Sequence, residues 1–410
     1  MQTAISLHQS ITGLKHEVKD IVVCNEPAIV SQQVGIIKRT AVWWAIKWRI
    51  FYFACVVLKK PSLIITTFRA LLHLRNEVWG GDLKKIYKVG GKYYFNQYTP
   101  GWPSKAYDKL IKSELRRHTP SAGTIEKLTF IFLAITRKCP MRCEHCFEWD
   151  NLNNKEVFTK EALFKTVDMF QKEGVLQIHF SGGEPMVRLK DLVELVKHAS
   201  KKSECWVLTS GFNFTRQNAQ ILKSAGCKGV VVSIDHYDSE LHNRFRGHGQ
   251  SFEAAVNAVK EARRAGMVVS MSVCATKAFI EGGHLLPYME FAKGLGAHFV
   301  QVLEPKNVGH YIDKDVLLAT RHINELDAVF RLLNHGRSHR NYPTMLYHGY
   351  HQRRVGCFSG SRSVYVDSVG DVHACPFCHT RSYNIIELLE KENADLPVKE
   401  NKCPRYDDIA

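Results

Sequence analysis

The stretch Thr136-Arg-Lys-Cys139-Pro-Met-Arg-Cys143-Glu-His-Cys146 follows a short apolar segment, Thr129–Thr136, that has the composition of a β-strand. Its cysteines are spaced Cys-x3-Cys-x2-Cys. Three thiolates this close on one loop can ligate three irons of a cubane iron–sulfur cluster and leave the fourth iron open. Zinc is the competing interpretation, with His145 as a further ligand, although structural zinc sites usually carry Cys-x2-Cys pairs. Cysteines that serve only in packing are the plainest alternative, so the spacing alone predicts a metal site and leaves the metal open.

Beyond this loop, short β-branched or aromatic runs alternate with amphipathic helical stretches. This alternation is typical of βα units that build a parallel sheet. The chemistry of such folds lies at the carboxyl ends of the strands, where every motif described here falls. The predicted strands are Thr129–Thr136, Leu176–Phe180, Cys205–Thr209, Gly229–Ile234, Val268–Cys274 and Ala297–Leu303, and the predicted helices are Glu161–Lys172, Leu189–Lys201, Thr215–Ser224 and Ser251–Ala265.

The motifs at these strand ends resemble, in chain order, those of the radical S-adenosylmethionine (SAM) superfamily. The second strand ends in Phe180-Ser181-Gly182-Gly183-Glu184-Pro185, which is similar to the Gly-Gly-Glu motif of that superfamily. The third strand ends at Ser210, where relatives carry a Thr-Asn-Gly turn. The fourth leads from Ser233 to Arg246 through a stretch similar to the Ser-x-Asp … His-(Asp/Asn)-x-x-Arg-Gly pattern of many members.

This resemblance implies a fold, a cofactor and a reaction. The expected fold is α/β, a partial (βα)6 TIM-like barrel over residues 126–335. Cys139, Cys143 and Cys146 would hold a 4Fe-4S cluster whose open iron is chelated by the amino and carboxylate groups of SAM, and SAM would be cleaved reductively to a 5′-deoxyadenosyl radical. No general acid or base is identified. The residues expected to bind the cofactor are Ser181, Gly182, Gly183, Glu184, Pro185, Ser210, Ser233 and Arg246.

A second cysteine group lies in the C-terminal region, residues 340–410. Cys357, Cys375 and Cys378 flank a predicted strand–turn–strand around Gly370, and Cys403 follows later. The Cys-x12-Gly-x4-Cys pattern resembles the opening of SPASM and twitch domains, which hold auxiliary iron–sulfur clusters. A full SPASM domain uses about seven cysteines for two clusters, so four cysteines imply one auxiliary cluster, as in the twitch form. A four-cysteine zinc site fits the same count.

The first region, residues 1–125, is basic and partly apolar. Residues 1–120 hold 19 Lys or Arg against 7 Asp or Glu, an excess of 12 within a formal net charge of +16 for the 410 residues. The apolar run Ala41–Leu58 carries three tryptophans but is interrupted by Lys47 and Arg49, which disfavours a membrane span. Membrane-surface contact and a helical cap on the next domain are both open. A hairpin is predicted at Lys85–Asn96.

The expected function is hydrogen abstraction from a peptide or protein, because SPASM and twitch relatives often modify peptides. A lipid or other membrane-associated substrate is the alternative, favoured by the N-terminal region. A nucleic-acid-binding iron–sulfur or zinc protein is the alternative of another class, although no RNA-binding motif is present and nucleic acid is not an expected partner. The expected partners are SAM and a one-electron donor such as flavodoxin or ferredoxin. With no secretory signal and sparse cysteines, the expected location is cytoplasmic, with contact at the inner face of the membrane left open.

Overall fold

The fold is built on one sheet of ten strands. The computed structural model describes residues 33–80, 85–119, 128–391 and 396. The strands β3 to β12 form this sheet, and β1 and β2 pair with each other in a separate hairpin. In chain order the strands of the described residues are β1 Tyr87–Val89, β2 Lys92–Tyr94, β3 Phe130–Ala134, β4 Gln177–Ser181, β5 Glu204–Thr209, β6 Cys227–Ser233, β7 Val268–Cys274, β8 Phe299–Leu303, β9 Thr344–Tyr347, β10 Ser363–Val366, β11 Asp371–His373 and β12 Tyr383–Asn384. Its α-helices are α1 Ile36–Leu58, α2 Pro61–Trp79, α3 Lys105–Arg117, α4 Lys160–Lys172, α5 Leu189–Ala199, α6 Arg216–Ala225, α7 Ser239–Arg246, α8 Ser251–Arg264, α9 Lys277–Glu281, α10 Leu285–Gly294, α11 Thr320–His335, α12 His348–Val355 and α13 Ile385–Leu389.

The six predicted strands are confirmed as β3 to β8, which run parallel in chain order. Two further parallel strands extend this set: β9 pairs with β8, and β10 pairs with β3. The antiparallel strands β11 and β12 follow at the β10 edge. The predicted helices between strands are confirmed as α4, α5, α6 and α8. The α/β barrel-like architecture expected from the sequence is therefore present, and it is wider than six strands.

The local sequence explains why the helices begin where they do. In the described residues, six α-helices start at a residue whose side chain accepts a hydrogen bond from a backbone N–H of the first turn, namely Ser104, Thr159, Thr215, Asp238, Thr276 and Asn384. Such caps satisfy backbone donors that have no partner within the helix. The strands between these helices are buried throughout or nearly so, as in β4. Burial on both faces is usual for parallel strands covered by helices, and it fixes the strand ends relative to one another.

The segment between α2 and α3 closes the amino end of the barrel. The predicted hairpin is confirmed as β1 paired with β2. Tyr98 enters the barrel and stacks against Phe130 and His179, with ring centroids 5.0 and 5.5 Å apart. Glu204, at the start of β5, accepts the backbone N–H of Gly101 at 3.1 Å. Access to the interior is therefore closed at the end opposite the cysteine loop.

The helices of the N-terminal region lie against both edges of the parallel strands. Helix α2 packs on α12, which follows β9. Helix α3 reaches the other edge, where Glu114 pairs with Arg362 just before β10 at 3.1 Å. Because β10 and β9 belong to the same sheet as the central strands, the sheet is continuous across residue 340. The domain boundaries at residues 126 and 340 remain predictions.

Candidate active site

One cavity of about 550 Å³ contains most of the predicted functional residues. All three cysteines of the first loop line it, at the carboxyl ends of the strands. It continues along the barrel interior to Tyr98 and Phe130. Its volume lies in the range typical of small-molecule sites. The predicted cofactor-binding residues that line it are Ser181, Gly182, Gly183, Glu184, Ser210, Ser233 and Arg246.

The turn after β4 backs directly onto the cysteine loop. The N–H of Gly183 donates to the carbonyl of Thr136 at 2.8 Å, and the N–H of Glu184 donates to the carbonyl of Lys138 at 2.8 Å. A Cβ on Gly183 would lie 2.5 Å from the Lys138 oxygen, closer than any side chain can come. Gly182 has a φ of +145°, which favours glycine. The glycine pair is therefore required by close backbone contact with the loop that carries Cys139.

The end of α7 holds the same loop from another side. The N–H of Arg142 donates to the carbonyl of Arg246 at 2.9 Å, and the N–H of Glu144 donates to the carbonyl of Phe245 at 3.0 Å. Gly247 adopts a φ of +62°, and a Cβ there would lie 2.7 Å from the Arg142 oxygen. The motifs at the ends of β3, β4 and β6 thus meet at one loop, although they are far apart in sequence.

Comparison with known proteins identifies this arrangement. Residues 133–280, which include the three cysteines, the glycine turn and Arg246, match the model of the Radical SAM superfamily. The chain contains a radical SAM domain. This domain type uses a 4Fe-4S cluster together with SAM, which agrees with the three-cysteine loop and disfavours zinc at that site.

Two relatives are similar to this chain over about half of its length. The PqqA peptide cyclase of Bradyrhizobium diazoefficiens is 29% identical over 228 residues, or 54% of this chain and 58% of that protein. The GTP 3′,8-cyclase of Erythrobacter litoralis is 28% identical over 196 residues, or 46% of this chain and 57% of that protein. The chain therefore spans little more than half the length of these relatives.

A solved structure extends the likeness in fold. The crystal structure of Streptococcus suis SuiB superposes with a TM-score of 0.53 over 72% of this chain and 73% of SuiB, at 16% identity. At this identity the comparison supports the fold alone. It confirms the radical SAM α/β fold expected from the sequence.

Within the radical SAM domain, Arg246 lies at the cluster loop in a buried ion pair. Its Nη2 is 2.6 Å from Asp235 Oδ2, and its Nη1 is 3.5 Å from Cys143 Sγ. Asp235 also accepts the N–H of Cys274 through Oδ1 at 2.9 Å. Burial raises the pKa of Asp235, but Arg246, His145, His242 and the Cys274 N–H together lower it by more, so the net pKa lies below the usual range. The guanidinium is therefore positioned beside Cys143, a predicted cluster ligand, and its contact with a SAM carboxylate remains a prediction.

The carboxylate of Glu184 is fully hydrogen-bonded inside the protein. Oε1 accepts from Met186 N at 3.0 Å and Thr209 Oγ1 at 2.7 Å. Oε2 accepts from Ser210 N at 2.7 Å and Ser210 Oγ at 2.6 Å. This fixes the turn after β4 to the turn after β5, so Glu184 and Ser210 have a structural role that the sequence comparison does not show. Their contact with SAM stays a prediction.

The other predicted cofactor residues occupy different positions around the cavity. Ser181 is the last residue of β4 and is buried, whereas Ser233 ends β6 and is only partly buried. Pro185 is buried at the start of a short 3-10 helix, and it is not among the residues that line the cavity. Ser181 and Ser233 thus line the cavity and Pro185 does not, and contact of all three with a cofactor remains a prediction.

The donor set of the loop fits a 4Fe-4S cluster. Cys139, Cys143 and Cys146 are unpaired thiols. Burial raises the pKa of all three thiols, that of Cys139 to about 12, so their ionisation requires a bound cation.

Two side chains that the sequence does not single out, Asn153 and Glu148, hold the cysteine loop by hydrogen bonds. Asn153 accepts the N–H of Cys139 and donates to its carbonyl, both at 3.1 Å. Glu148 is buried and accepts the hydroxyls of Tyr365 and Ser368, the latter at 2.7 Å. Glu148 thereby ties the cluster loop to β10. No signal in the sequence marks these contacts, because the partners of Glu148 lie more than 200 residues away.

The second cysteine group lies beside the first. Cys375 and Cys378 form a tight turn in which the Cys378 N–H donates to the Cys375 carbonyl at 3.1 Å. Phe377, between them, contacts Phe147 next to Cys146, with ring centroids 5.8 Å apart. Cys375 lines the cavity, and Cys357 precedes β10 at the same end of the β10–β11 hairpin. Cys403 lies outside the described residues.

Proposed function

We propose that this protein is a radical SAM enzyme that removes a hydrogen atom from a substrate bound in the barrel. When bound, the cluster and SAM would supply reductive cleavage, in which one electron and SAM give methionine and a 5′-deoxyadenosyl radical. Transfer of a hydrogen atom from a substrate carbon to that radical would leave 5′-deoxyadenosine and a substrate radical. The observation that carries the proposal is the single cavity that joins the cysteine loop, the turn at residues 181–184 and the barrel interior.

The chain's own residues would bind, orient and exclude water. The glycine turn and Ser233 line the cavity beside the cysteines, where they can position the cofactor. Tyr98 and the segment around it close the far end, which keeps solvent from a reactive radical. Burial lowers the pKa of His348 to about 4 and that of His179 to about 3, so both rings are neutral at pH 7. These two histidines therefore add no positive charge to the barrel interior at that pH.

A peptide or protein is the substrate class we favour. One relative is named as a peptide cyclase, and SuiB has been solved with a precursor peptide, at a TM-score of 0.52 to this chain. We further propose one auxiliary iron–sulfur cluster on Cys357, Cys375, Cys378 and Cys403, with zinc as the rival. A cytoplasmic flavodoxin or ferredoxin would deliver the electron.

A lipid or other membrane-associated substrate is the second candidate. The observation that favours it is the side of the cavity formed by the N-terminal helices, where Leu74 and Val78 of α2 and Leu110 of α3 join Phe130 and Phe132. This apolar part of the lining would suit an acyl or isoprenoid chain. A location at the inner face of the membrane would bring such a substrate within reach.

Anaerobic reconstitution followed by metal counting and product analysis tests the proposal. About eight irons and no zinc would support two cubane clusters, whereas about four irons with one zinc would restrict iron to the first loop. With SAM and dithionite, the parent should release 5′-deoxyadenosine, and Cys143→Ala should not. Cys205→Ala, a buried cysteine on β5, is the matched control and should retain the product. If the parent releases none, or Cys143→Ala releases as much as the parent, the proposal fails.

A further inference from the structure

Helix α1 presents an exposed apolar face. In the described ranges, fourteen large hydrophobic side chains are exposed, and eight of them lie between residues 36 and 65. This concentration is greater than scattered surface residues produce, and it marks an interaction site. Its main members form the outer face: Ile37, 89% exposed, Trp44, 58%, Trp48, 65%, Phe51, 48%, Tyr52, 55%, and Val56, 50%.

The opposite face of α1 is packed on the protein along most of its length. Val42 and Ile46 are buried with Ile86 and Phe95, next to the hairpin. Further along, Phe53, Ala54 and Leu58 are buried with Ile111 and Leu115 of α3. Arg49 also forms two hydrogen bonds to Asp108, at 3.0 and 2.6 Å. By length and composition, α1 is the one described helix that could cross a membrane, but its inner face is packed on the protein along most of its length.

The charges around the outer face have one sign. No Asp or Glu occurs between residues 27 and 76, which contain eight Lys or Arg. At 100° per residue, Lys47 lies on one side of the outer face and Lys38 on the other. Both are exposed, as are Lys59 and Lys60 just beyond the helix. Exposed aromatic residues bordered by lysines are the composition of helices that lie in the plane of a membrane interface.

We infer that the outer face of α1 docks on an anionic lipid bilayer, with α1 lying flat in the interface. The aromatic side chains enter the headgroup region, and the lysines on both sides contact lipid phosphates. Helix α1 packs on α2 and α3, whose inner residues line the cavity. Docking therefore places the α2–α3 side of the cavity next to the bilayer. This inference does not depend on which substrate the enzyme takes.

Vesicle flotation of the reconstituted full chain tests the docking. The parent should float with vesicles of equal parts phosphatidylglycerol and phosphatidylcholine at about 0.1 M salt, and less with phosphatidylcholine alone or at about 1 M salt. Trp44→Glu with Trp48→Glu should lower the partition coefficient by at least about thirtyfold. Lys47→Gln should lower it roughly fivefold. The matched control, Ile221→Glu with Leu317→Glu, changes two exposed apolar residues elsewhere and should float like the parent.

Three results would overturn the inference. The parent does not float with anionic vesicles, or the control pair loses as much binding as the tryptophan pair. In the third, the parent sediments as a dimer and does not bind vesicles, whereas the tryptophan variant sediments as a monomer. The outer face of α1 would then join two copies of the chain. Release of 5′-deoxyadenosine should be unchanged in the tryptophan variant, so failure of docking and failure of the proposed chemistry are distinguished.

Discussion

The buried pair Asp235–Arg246 gives the sharpest prediction for stability. The side chains are 2% and 8% exposed, and their closest atoms are 2.6 Å apart. Asp235→Asn keeps an oxygen that can accept the N–H of Cys274, so the main loss is the charge opposite Arg246. Removing one partner of a buried pair costs about 3–5 kcal/mol, because the other charge stays buried and uncompensated. We expect a loss of about 3 kcal/mol in the free energy of unfolding.

Urea denaturation of the metal-free, reduced chain at pH 7 measures this loss. Asp235 is ionised at that pH because its pKa lies below the usual range. Its contribution to stability is present above the ordinary aspartate pKa and disappears as the pH falls through the lowered value. The double variant Asp235→Asn, Arg246→Met removes both charges. Its loss of stability should be about 1–3 kcal/mol smaller than the sum of the losses measured for Asp235→Asn and Arg246→Met separately.

A matched surface pair supplies the control. Glu161 and Lys165 pair at 2.9 Å, but their side chains are 77% and 57% exposed. Glu161→Gln should leave the urea midpoint essentially unchanged. Should Asp235→Asn cost as little as this control, or the double variant lose the full sum, then the pair is not electrostatically coupled and the reasoning is wrong.

Three further changes test separate contacts. Burial opposes ionisation of Glu304, but Lys306 and neighbouring donors lower its pKa to about 2. The parent should therefore lose about 3 kcal/mol of stability as the pH falls from roughly 5 to 2, and Glu304→Gln should not show this loss. Urea midpoints at each pH measure the difference. Gly183→Ala would drive a methyl group against the Lys138 carbonyl and should abolish iron incorporation at the first loop. Glu148→Gln should cost about 1–3 kcal/mol in urea denaturation, because an amide offers the two buried hydroxyls one acceptor oxygen instead of two.

Each of these changes has its own check. Gly249→Ala meets nothing within 4 Å and should incorporate iron like the parent; equal loss in both glycine variants would contradict the close-approach argument. If the parent and Glu304→Gln lose the same stability as the pH falls from roughly 5 to 2, Glu304 is not stabilised as an anion. If Glu148→Gln leaves the free energy of unfolding unchanged, the Glu148 contacts do not hold the loop to β10.

The central strands and the cysteine loop could be predicted from the sequence because their signals are local. Each of the strands β3 to β8 is a short apolar run, and parallel strands bring their carboxyl ends together whatever the intervening helices contain. The cysteine loop and the glycine turn both follow such a run. Their meeting is therefore a consequence of topology, and the hydrogen bonds from residues 183 and 184 to the loop confirm it.

The pairing of β9 and β10 could not be predicted in the same way. Thr344–Tyr347 has four residues and no alternating pattern long enough to identify it. The strand–turn–strand predicted around Gly370 is confirmed as β10 paired with β11. The parallel pairing of Ser363–Val366 with Phe130–Ala134, however, joins residues more than 200 positions apart. Short strands gain most of their stability from such distant partners, which a single sequence does not reveal.

The contacts of Glu184 change how the motif itself should be understood. A carboxylate in a motif suggests a charge offered to a ligand, yet both of its oxygens already accept two hydrogen bonds. A cofactor ammonium could reach this carboxylate only by displacing Thr209 or Ser210, and that would loosen the turn after β5. Ser181, Gly182 and Gly183 line the cavity beside it, although the Gly183 N–H and the Ser181 carbonyl already bond the chain at residues 135 and 136. The glutamate therefore holds two strand ends together, and contact of residues 181–183 with the cofactor remains a prediction.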